Sequence, residues 1–209
     1  MRYLIVASLL LFAAFVHAQQ VVSYPGKVFI YTLYIDTFQC KSNDQSTVDS
    51  IVVETKTDKR RVQGIRPNNA DGNGIPCGGD LLKNGQFQIV DANFDGHEDI
   101  LLMQFLPAAP NIPYYYWIYN TASKKFVEDT ALENITSPQF DSVKHQITSY
   151  WRDDCCDHGT DTYSYMNNKA ILIQQVEDIA DPNGTAPDTL IERKVIAGKL
   201  TEVSRKVQK

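Results

Sequence analysis

The amino-acid sequence predicts an all-β protein in which hairpins form two antiparallel sheets. Short runs of β-branched and aromatic residues recur along the 209-residue chain, and VFIYTLYIDTF at Val28–Phe38 is the clearest of them. Clusters of Gly, Pro, Asn and Asp separate these runs and favour turns. No sustained helical stripe of apolar residues competes with this pattern. We therefore expect a succession of strands and turns.

The first half of the chain contains four such runs. They are Val28–Phe38, Ile51–Thr55, Phe87–Val90 and Ile100–Phe105. The segment NNADGNGIPCGG, residues 68–79, is rich in residues that tolerate positive φ, which predicts a loop. The run ILLMQF at Ile100–Phe105 is apolar on both faces, so we expect it to be a central strand.

The second half begins with a proline-rich loop, Leu106–Pro113, and continues with five more candidate strands. These are Tyr114–Tyr119, Lys125–Val127, His145–Arg152, Thr162–Met166 and Ala170–Val176. The short Asn-rich turn after Met166 predicts that the last two strands form a hairpin. The tail Leu190–Val207 predicts one or two further strands or a final helix.

The N-terminus has the features of a secretory signal peptide. MRYLIVASLLLFAAFVHAQQ carries one positive charge, then an apolar run, then small residues ending at Ala18. We expect cleavage after Ala18, which leaves residues 19–209 as a single domain in the periplasm or outside the cell. A membrane anchor is the alternative, but the apolar run is shorter than the roughly 20 residues of a transmembrane helix. We therefore expect no transmembrane span in the mature chain.

The composition narrows the range of partners. The net charge is −5 at pH 7, whereas nucleic acids and anionic membranes favour a basic surface. We therefore expect no nucleic-acid partner. Export also makes all four cysteines candidates for disulfide bonds, and the sequence leaves their pairing open. These are Cys40, Cys77, Cys155 and Cys156. A zinc site that uses cysteines together with His158 is the alternative.

The stretch DANFDGHEDI, Asp91–Ile100, concentrates oxygen-bearing side chains around one glycine. This spacing suits a calcium ion, which takes six to eight oxygen ligands at about 2.3–2.6 Å. The predicted ligands are the side chains of Asp91, Asn93, Asp95 and Asp99 and the backbone carbonyl of His97. Gly96 supplies the bend that needs positive φ. Without a cation, the clustered carboxylates would repel one another.

The flanking sequence distinguishes this motif from an EF-hand. The twelfth position of an EF-hand loop holds a bidentate Glu, but Leu102 occupies it here, and both flanks have the composition of strands. We therefore expect a strand–loop–strand calcium site with an architectural role. A metal-free, Asx-rich turn is the alternative. Magnesium is disfavoured because it prefers a smaller octahedral shell rich in water.

The motif resembles the DxNxDGxxD calcium loop of FG-GAP/VCBS proteins, although this chain contains it once. A wider order of features, from Phe87 to Val176, resembles a bacterial exported family. That family includes immunity proteins against lysozyme-like effectors of type IV secretion systems, and is similar in fold to periplasmic lysozyme inhibitors. NFDGHEDI, YYYWIYN, KKFVED, HQITSYWRDDCCDHGTDTYSY and NNKAILI carry this resemblance.

The resemblance implies two antiparallel sheets, a structural calcium ion and a protruding loop that enters the cleft of a peptidoglycan hydrolase. The matching position here is the loop Asp153–Tyr163, which carries Cys155-Cys156 where such inhibitors have a Ser-Gly-like turn. The candidate partner-binding residues are His158, Gly159, Thr160 and Tyr163. The implied function is inhibition of a lysozyme-like peptidoglycan hydrolase, without enzymatic activity of its own.

Two other functions fit parts of the sequence. One is an FG-GAP-like cell-envelope module that binds glycan or protein without inhibition. The aromatic run Tyr114–Trp117, or Tyr150 with Trp151, could serve as its stacking platform, although packing inside a sheet is the expected role of both. The other is a glycan hydrolase, since carboxylates are plentiful, but spacing alone identifies no catalytic pair.

Overall fold

The computed structural model describes residues 19–68, 74–154, 156–181, 183 and 185–207. The predicted signal peptide and Cys155 lie outside these described residues. The described chain is nearly all β, which confirms the predicted fold class: it has fifteen strands, one four-residue helix and one 3₁₀ turn. All strand pairs are antiparallel.

The strands form three sheets, so the prediction of two sheets is wrong. Each sheet is a meander in which strands that are consecutive in the chain lie side by side, except that one short strand of the first sheet, Ile75–Pro76, pairs out of sequence order. The meander breaks between Ile65 and Phe87, and again between Glu128 and Pro138. Alternation of apolar and polar residues gives the faces of a strand, but it carries no signal for where one sheet ends and the next begins.

Sheet I is the N-terminal meander. Its strands are β1 (Gln19–Pro25), β2 (Phe29–Asp36), β3 (Gln45–Thr55), β4 (Arg61–Ile65) and the two-residue β5 (Ile75–Pro76), which pairs with the start of β3. The helix α1 (Cys40–Asn43) lies between β2 and β3. Burial alternates strictly along β2, because one of its faces packs into the core.

Sheet II contains the candidate cation loop. Its strands are β6 (Phe87–Val90), β7 (Asp99–Met103), β8 (Tyr114–Asn120) and β9 (Lys125–Glu128). All five residues of β7 are buried, which confirms the prediction of a central strand at this position. Tyr114, Tyr116 and Trp117 are also buried and Tyr115 is half-buried, so most of the aromatic run of β8 packs inside the protein.

Sheet III is the largest. Its strands are β10 (Pro138–Asp141), β11 (Gln146–Arg152), β12 (Asp157–Met166), β13 (Lys169–Ile179), β14 (Thr189–Ile196) and β15 (Lys199–Val207). The β12–β13 hairpin turns at Asn167 and Asn168, whose φ angles of 53° and 59° suit a type I′ turn, so this predicted hairpin is confirmed. The C-terminal tail forms a second hairpin and no helix.

One core joins the three sheets. Tyr31 of sheet I is fully buried, with its ring centroid 6.0 Å from that of Phe87 and 5.9 Å from that of Phe126, both in sheet II. Ile147 brings sheet III into the same cluster. The side chain of Gln63 in β4 connects sheet I to sheet II through two hydrogen bonds with the backbone of Phe126. Its amide donates to the carbonyl of Phe126 at 2.9 Å and accepts from the N–H of Phe126 at 2.8 Å.

Candidate cation loop and candidate partner-binding residues

The predicted calcium motif forms a tight loop between two antiparallel strands. Val90 of β6 pairs with Asp99 of β7, and the residues between them make the turn. Gly96 has φ of +87°, and an added Cβ there would meet no atom within 4 Å. The requirement for glycine at this position is therefore one of backbone conformation and not of space. The flanking strands agree with the predicted strand–loop–strand arrangement.

The first three predicted ligands hold the loop in shape through its own backbone. Asp91 accepts hydrogen bonds from the N–H of Asp95 at 3.0 Å and of Gly96 at 2.8 Å. Asn93 accepts from the N–H of Asp95 at 3.1 Å, and Asp95 accepts from the N–H of His97 at 2.9 Å. These short-range bonds wind the chain around the polar side chains.

Asp99, the last predicted ligand, is fully buried at the start of β7. One carboxylate oxygen accepts from the N–H of Ala92 at 2.8 Å, and the other accepts from the N–H of Tyr119 at 2.8 Å. Burial raises the pKa of Asp99 to about 7, and the carboxylates of Asp95 and Asp91 act in the same direction, while the two N–H bonds oppose the shift. A nearby cation would favour the ionised form.

The loop suits calcium by the kind of donor that it offers. Its side chains supply carboxylate and amide oxygens, which are the ligands of a hard cation. Each carboxylate oxygen that accepts one N–H keeps a further lone pair for a metal. Within the described residues, no three His, Cys, Asp or Glu side chains are grouped so that they could hold a metal ion.

Glu98, which the motif gives no role as a ligand, ties the loop to sheet I. Its carboxylate accepts hydrogen bonds from the backbone N–H of Lys27 and, at 3.2 Å, from that of Val28. Both lie in the turn between β1 and β2. The carboxylate packs so closely on this turn that a Cβ on Gly26 would lie 2.5 Å from one of its oxygens. A side chain at position 26 would therefore require the Glu98 carboxylate to move away from this turn.

Phe94 ties the same loop to sheet III. It has φ of +60°, which is uncommon for a residue with a side chain. Its ring stacks on the imidazole of His145, with centroids 5.3 Å apart and planes within 1° of parallel. Phe140 and Tyr165 each lie 6.4 Å away in edge-on contact. One loop thus contacts sheet I through Glu98 and sheet III through Phe94, while it belongs to sheet II.

The predicted partner-binding residues lie on a strand and not on a loop. Strand β12 begins at Asp157, so the expected loop Asp153–Tyr163 is wrong: its second half pairs on both sides, with β11 and with β13. A polar sequence suits this strand because one of its faces points away from the core.

The same strand separates those residues into two pairs. Side chains alternate along a strand, so His158 and Thr160 lie on the outer face of sheet III, together with exposed Tyr150. Gly159 and Tyr163 lie on the opposite face, with buried Ile147. The structure therefore does not bring all four residues onto one surface.

The inner face of sheet III has its own polar network, which the sequence did not indicate. Trp151 Nε1 and Gln175 Nε2 each donate to Asp161 at 3.0 Å. Arg193 then donates to Gln175 at 2.9 Å and to Glu177 at 2.5 Å. Gly159 leaves room for the indole, since a Cβ there would lie 2.6 Å from Cζ2 of Trp151.

The three cysteines among the described residues all form disulfide bonds. Cys40 and Cys77 are bonded, with an S–S distance of 2.01 Å, and connect α1 to the region after β5. Cys156 is also disulfide-bonded. A zinc site would need free thiolates from these residues, so the zinc alternative does not hold for them.

Comparison with known proteins supports the fold. The structure is similar to the solved structure of a Xanthomonas type IV secretion system related protein, with a TM-score of 0.60 and 21% sequence identity. The match covers 90% of this chain and 94% of that one. No protein-family model and no curated protein matches the chain. Across the described residues, no helix has the length and apolar character needed to cross a membrane.

Proposed function

We propose that this protein is exported and acts by binding another protein, without catalysis of its own. The specific activity that we propose is inhibition of a lysozyme-like peptidoglycan hydrolase, in the manner of an immunity protein. The observation that supports it most is the likeness in fold to a type IV secretion system related protein over nearly the whole of both chains. The Cys40–Cys77 disulfide is in keeping with export to an oxidising compartment.

We also propose that calcium binds the loop at Asp91–Asp99 and stabilises the fold. The oxygen donors, the bend at Gly96 and the antiparallel strands on either side support this assignment. The contacts of Glu98 and Phe94 give such an ion an architectural effect, because ordering of the loop would strengthen its attachments to two other sheets.

The inhibition is tested with purified residues 19–209 and a panel of muramidases. We expect the protein to slow the lysis of peptidoglycan by at least one of them, at a stoichiometry near one to one. The panel should include any muramidase encoded beside this gene, since immunity proteins are commonly encoded beside their toxin. A lack of inhibition across such a panel would contradict the proposed activity.

A second function, glycan binding without inhibition, is favoured by the outer face of sheet III. Tyr150 is 43% exposed there, contrary to the expected packing role, and its ring lies 6.2 Å from that of His158. Besides the ion pair of Asp141 and Lys144, a groove of about 360 Å³ on this face is lined by amides and hydroxyls, including those of Gln146, Thr148 and Thr162. Such neutral polar groups suit sugar hydroxyls. Retention on peptidoglycan that is lost in Tyr150→Ala would support this function, and equal retention would exclude Tyr150 as a contact to glycan.

A further inference from the structure

A cleft runs between the segment after β9 and the β12–β13 hairpin. It consists of two grooves, of about 430 Å³ and about 470 Å³, which meet at Asp129, Ala131 and Asn168. The two grooves share these lining residues, so we treat them as one continuous surface. One groove is apolar and the other is acidic.

The apolar groove has a floor of aliphatic side chains. Leu132 and Ile135 of the 3₁₀ segment are buried beneath it, and Ala170 and Tyr163 line it from sheet III. Lys169 lies on its rim. Tyr163 is one of the predicted partner-binding residues, and the structure places it here, on the inner face of β12.

The acidic groove is lined by three carboxylates, those of Asp95, Glu128 and Asp129. Tyr165 lines the same groove, and burial raises its pKa to about 12, with the negative charges of Asp129, Asp99 and Asp95 acting in the same direction. Calcium in the neighbouring loop would compensate Asp95, but Glu128 and Asp129 lie outside that loop. Lys169 is positively charged and lies at the opposite end of the cleft, so the charge of the lining changes from negative to positive along the cleft.

From this arrangement we propose that the cleft is the docking surface for a protein partner, and that it receives a segment with an apolar side chain next to an Arg or Lys. The apolar side chain lies over Leu132 and Ile135, and the cation lies between Glu128 and Asp129. This inference rests on the proposed binding role and specifies where the partner contacts the chain and which chemistry it presents. Desolvated apolar contact would supply affinity, and the charges would fix orientation.

The test uses two small probes and the chain from Gln19, labelled with ¹⁵N, with calcium present throughout. The probes are N-acetyl-Leu-Arg-amide and N-acetyl-Leu-Glu-amide. We expect the Arg peptide to shift the amide resonances of Leu132, Tyr163 and Asn168 in a saturable way. The Glu peptide should bind about fivefold more weakly or less, because like charges replace an ion pair in the acidic groove.

Two charge-reversal variants, one inside the cleft and one outside it, test whether the Arg peptide binds in the cleft. Glu128→Lys should weaken binding of the Arg peptide by about fivefold, since the ion pair becomes a repulsion. Asp49→Lys is the control, because Asp49 is exposed on β3, on a different sheet, and it should leave the affinity unchanged. Equal binding of both peptides, shifts centred outside the cleft, or equal loss in both variants would overturn the proposal.

The titration contains no muramidase, which separates this proposal from the proposed inhibition. Peptide binding in the cleft without inhibition of any muramidase would contradict only the inhibitor role. Inhibition that is insensitive to Glu128→Lys, together with an absence of peptide binding, would contradict only the cleft as the docking surface.

Discussion

Glu98 accepts a hydrogen bond from the backbone N–H of Val28, a residue 70 positions earlier in the chain. The other oxygen of the same carboxylate accepts from the N–H of Lys27. One side chain of the cation motif therefore satisfies two consecutive backbone donors in a turn of another sheet. The motif joins parts of the protein that its local sequence does not connect.

The pair of bonds gives a sharp prediction for Glu98→Gln. A carboxylate accepts at two oxygens, whereas an amide accepts at one, so this variant leaves one donor unsatisfied. Both bonds are exposed, so water can replace the lost acceptor, and we expect the variant to lower the free energy of unfolding by about 1 kcal/mol, measured by urea denaturation. Glu128→Gln, which changes an exposed side chain in the same manner, should stay close to the wild-type value. Equal stabilities of the two variants would contradict the role of Glu98.

Calcium should raise the melting temperature through the loop. We expect a chelator to lower the melting temperature of residues 19–209 and added calcium to restore it, since a ligand that binds the native state stabilises it. Asp95→Ala should remove most of this response, and Asp49→Ala should retain it. Magnesium at the same concentration should have a smaller effect. A full calcium response in Asp95→Ala would place the ion elsewhere.

Gly159 is predicted to be intolerant of any side chain. An added Cβ would approach the backbone carbonyl of Val176 as well as the indole of Trp151, and the carbonyl belongs to the paired strand β13. We expect Gly159→Ala to lower the melting temperature by several degrees, as overpacking costs about 1–3 kcal/mol. Gly64→Ala is the control, because its Cβ would meet mainly the movable guanidinium of Arg61.

Hydrogen bonds to Asp181, in the loop that follows β13, predict that the stability of the protein falls at acidic pH. Asp181 accepts bonds from the N–H of Ala186 at 2.7 Å and from both the hydroxyl and the N–H of Thr185, and these lower its pKa from 3.8 to about 2. Since the folded pKa lies below the unfolded one, this contribution to stability is complete above pH 3.8 and is lost as the pH falls toward 2.

Asp181→Asn tests this dependence. The wild type should lose more stability than the variant between pH 5 and pH 2, as measured by thermal unfolding at each pH. Asp49→Asn, at an exposed site away from the loop, should follow the wild type. Parallel pH profiles for all three proteins would show that Asp181 does not contribute.

Most strands could be predicted from the sequence, and the missed ones share a physical reason. The sequence patterns did not predict β1, β4, β10 or the two-residue β5, which lies within the predicted loop 68–79, and each of these strands pairs with a single neighbour. An edge strand pairs on one side and buries less apolar surface, so its sequence shows weaker alternation. QQVVSYP of β1, for example, has a single buried residue.

The candidate sites were predictable to different extents. The candidate cation loop depends on local spacing, so the sequence located its turn and the strands on either side correctly. Its attachments through Glu98 and Phe94 are long-range contacts, which spacing does not encode. The polar stretch that contains His158 suggested a loop because composition alone cannot distinguish a loop from a strand with a solvent-facing side.

The sequential order of strands has a consequence for how the chain folds. Among the described strands, each pairs only with its neighbours along the chain, apart from β5, which pairs with β3. Pairing of this kind keeps the loops that must close short, which lowers the entropy cost of each step. If the chain is exported N-terminus first, as the proposed function requires, each meander could form before the next one leaves the membrane channel. Docking of the three finished sheets onto their common core would then be the last step.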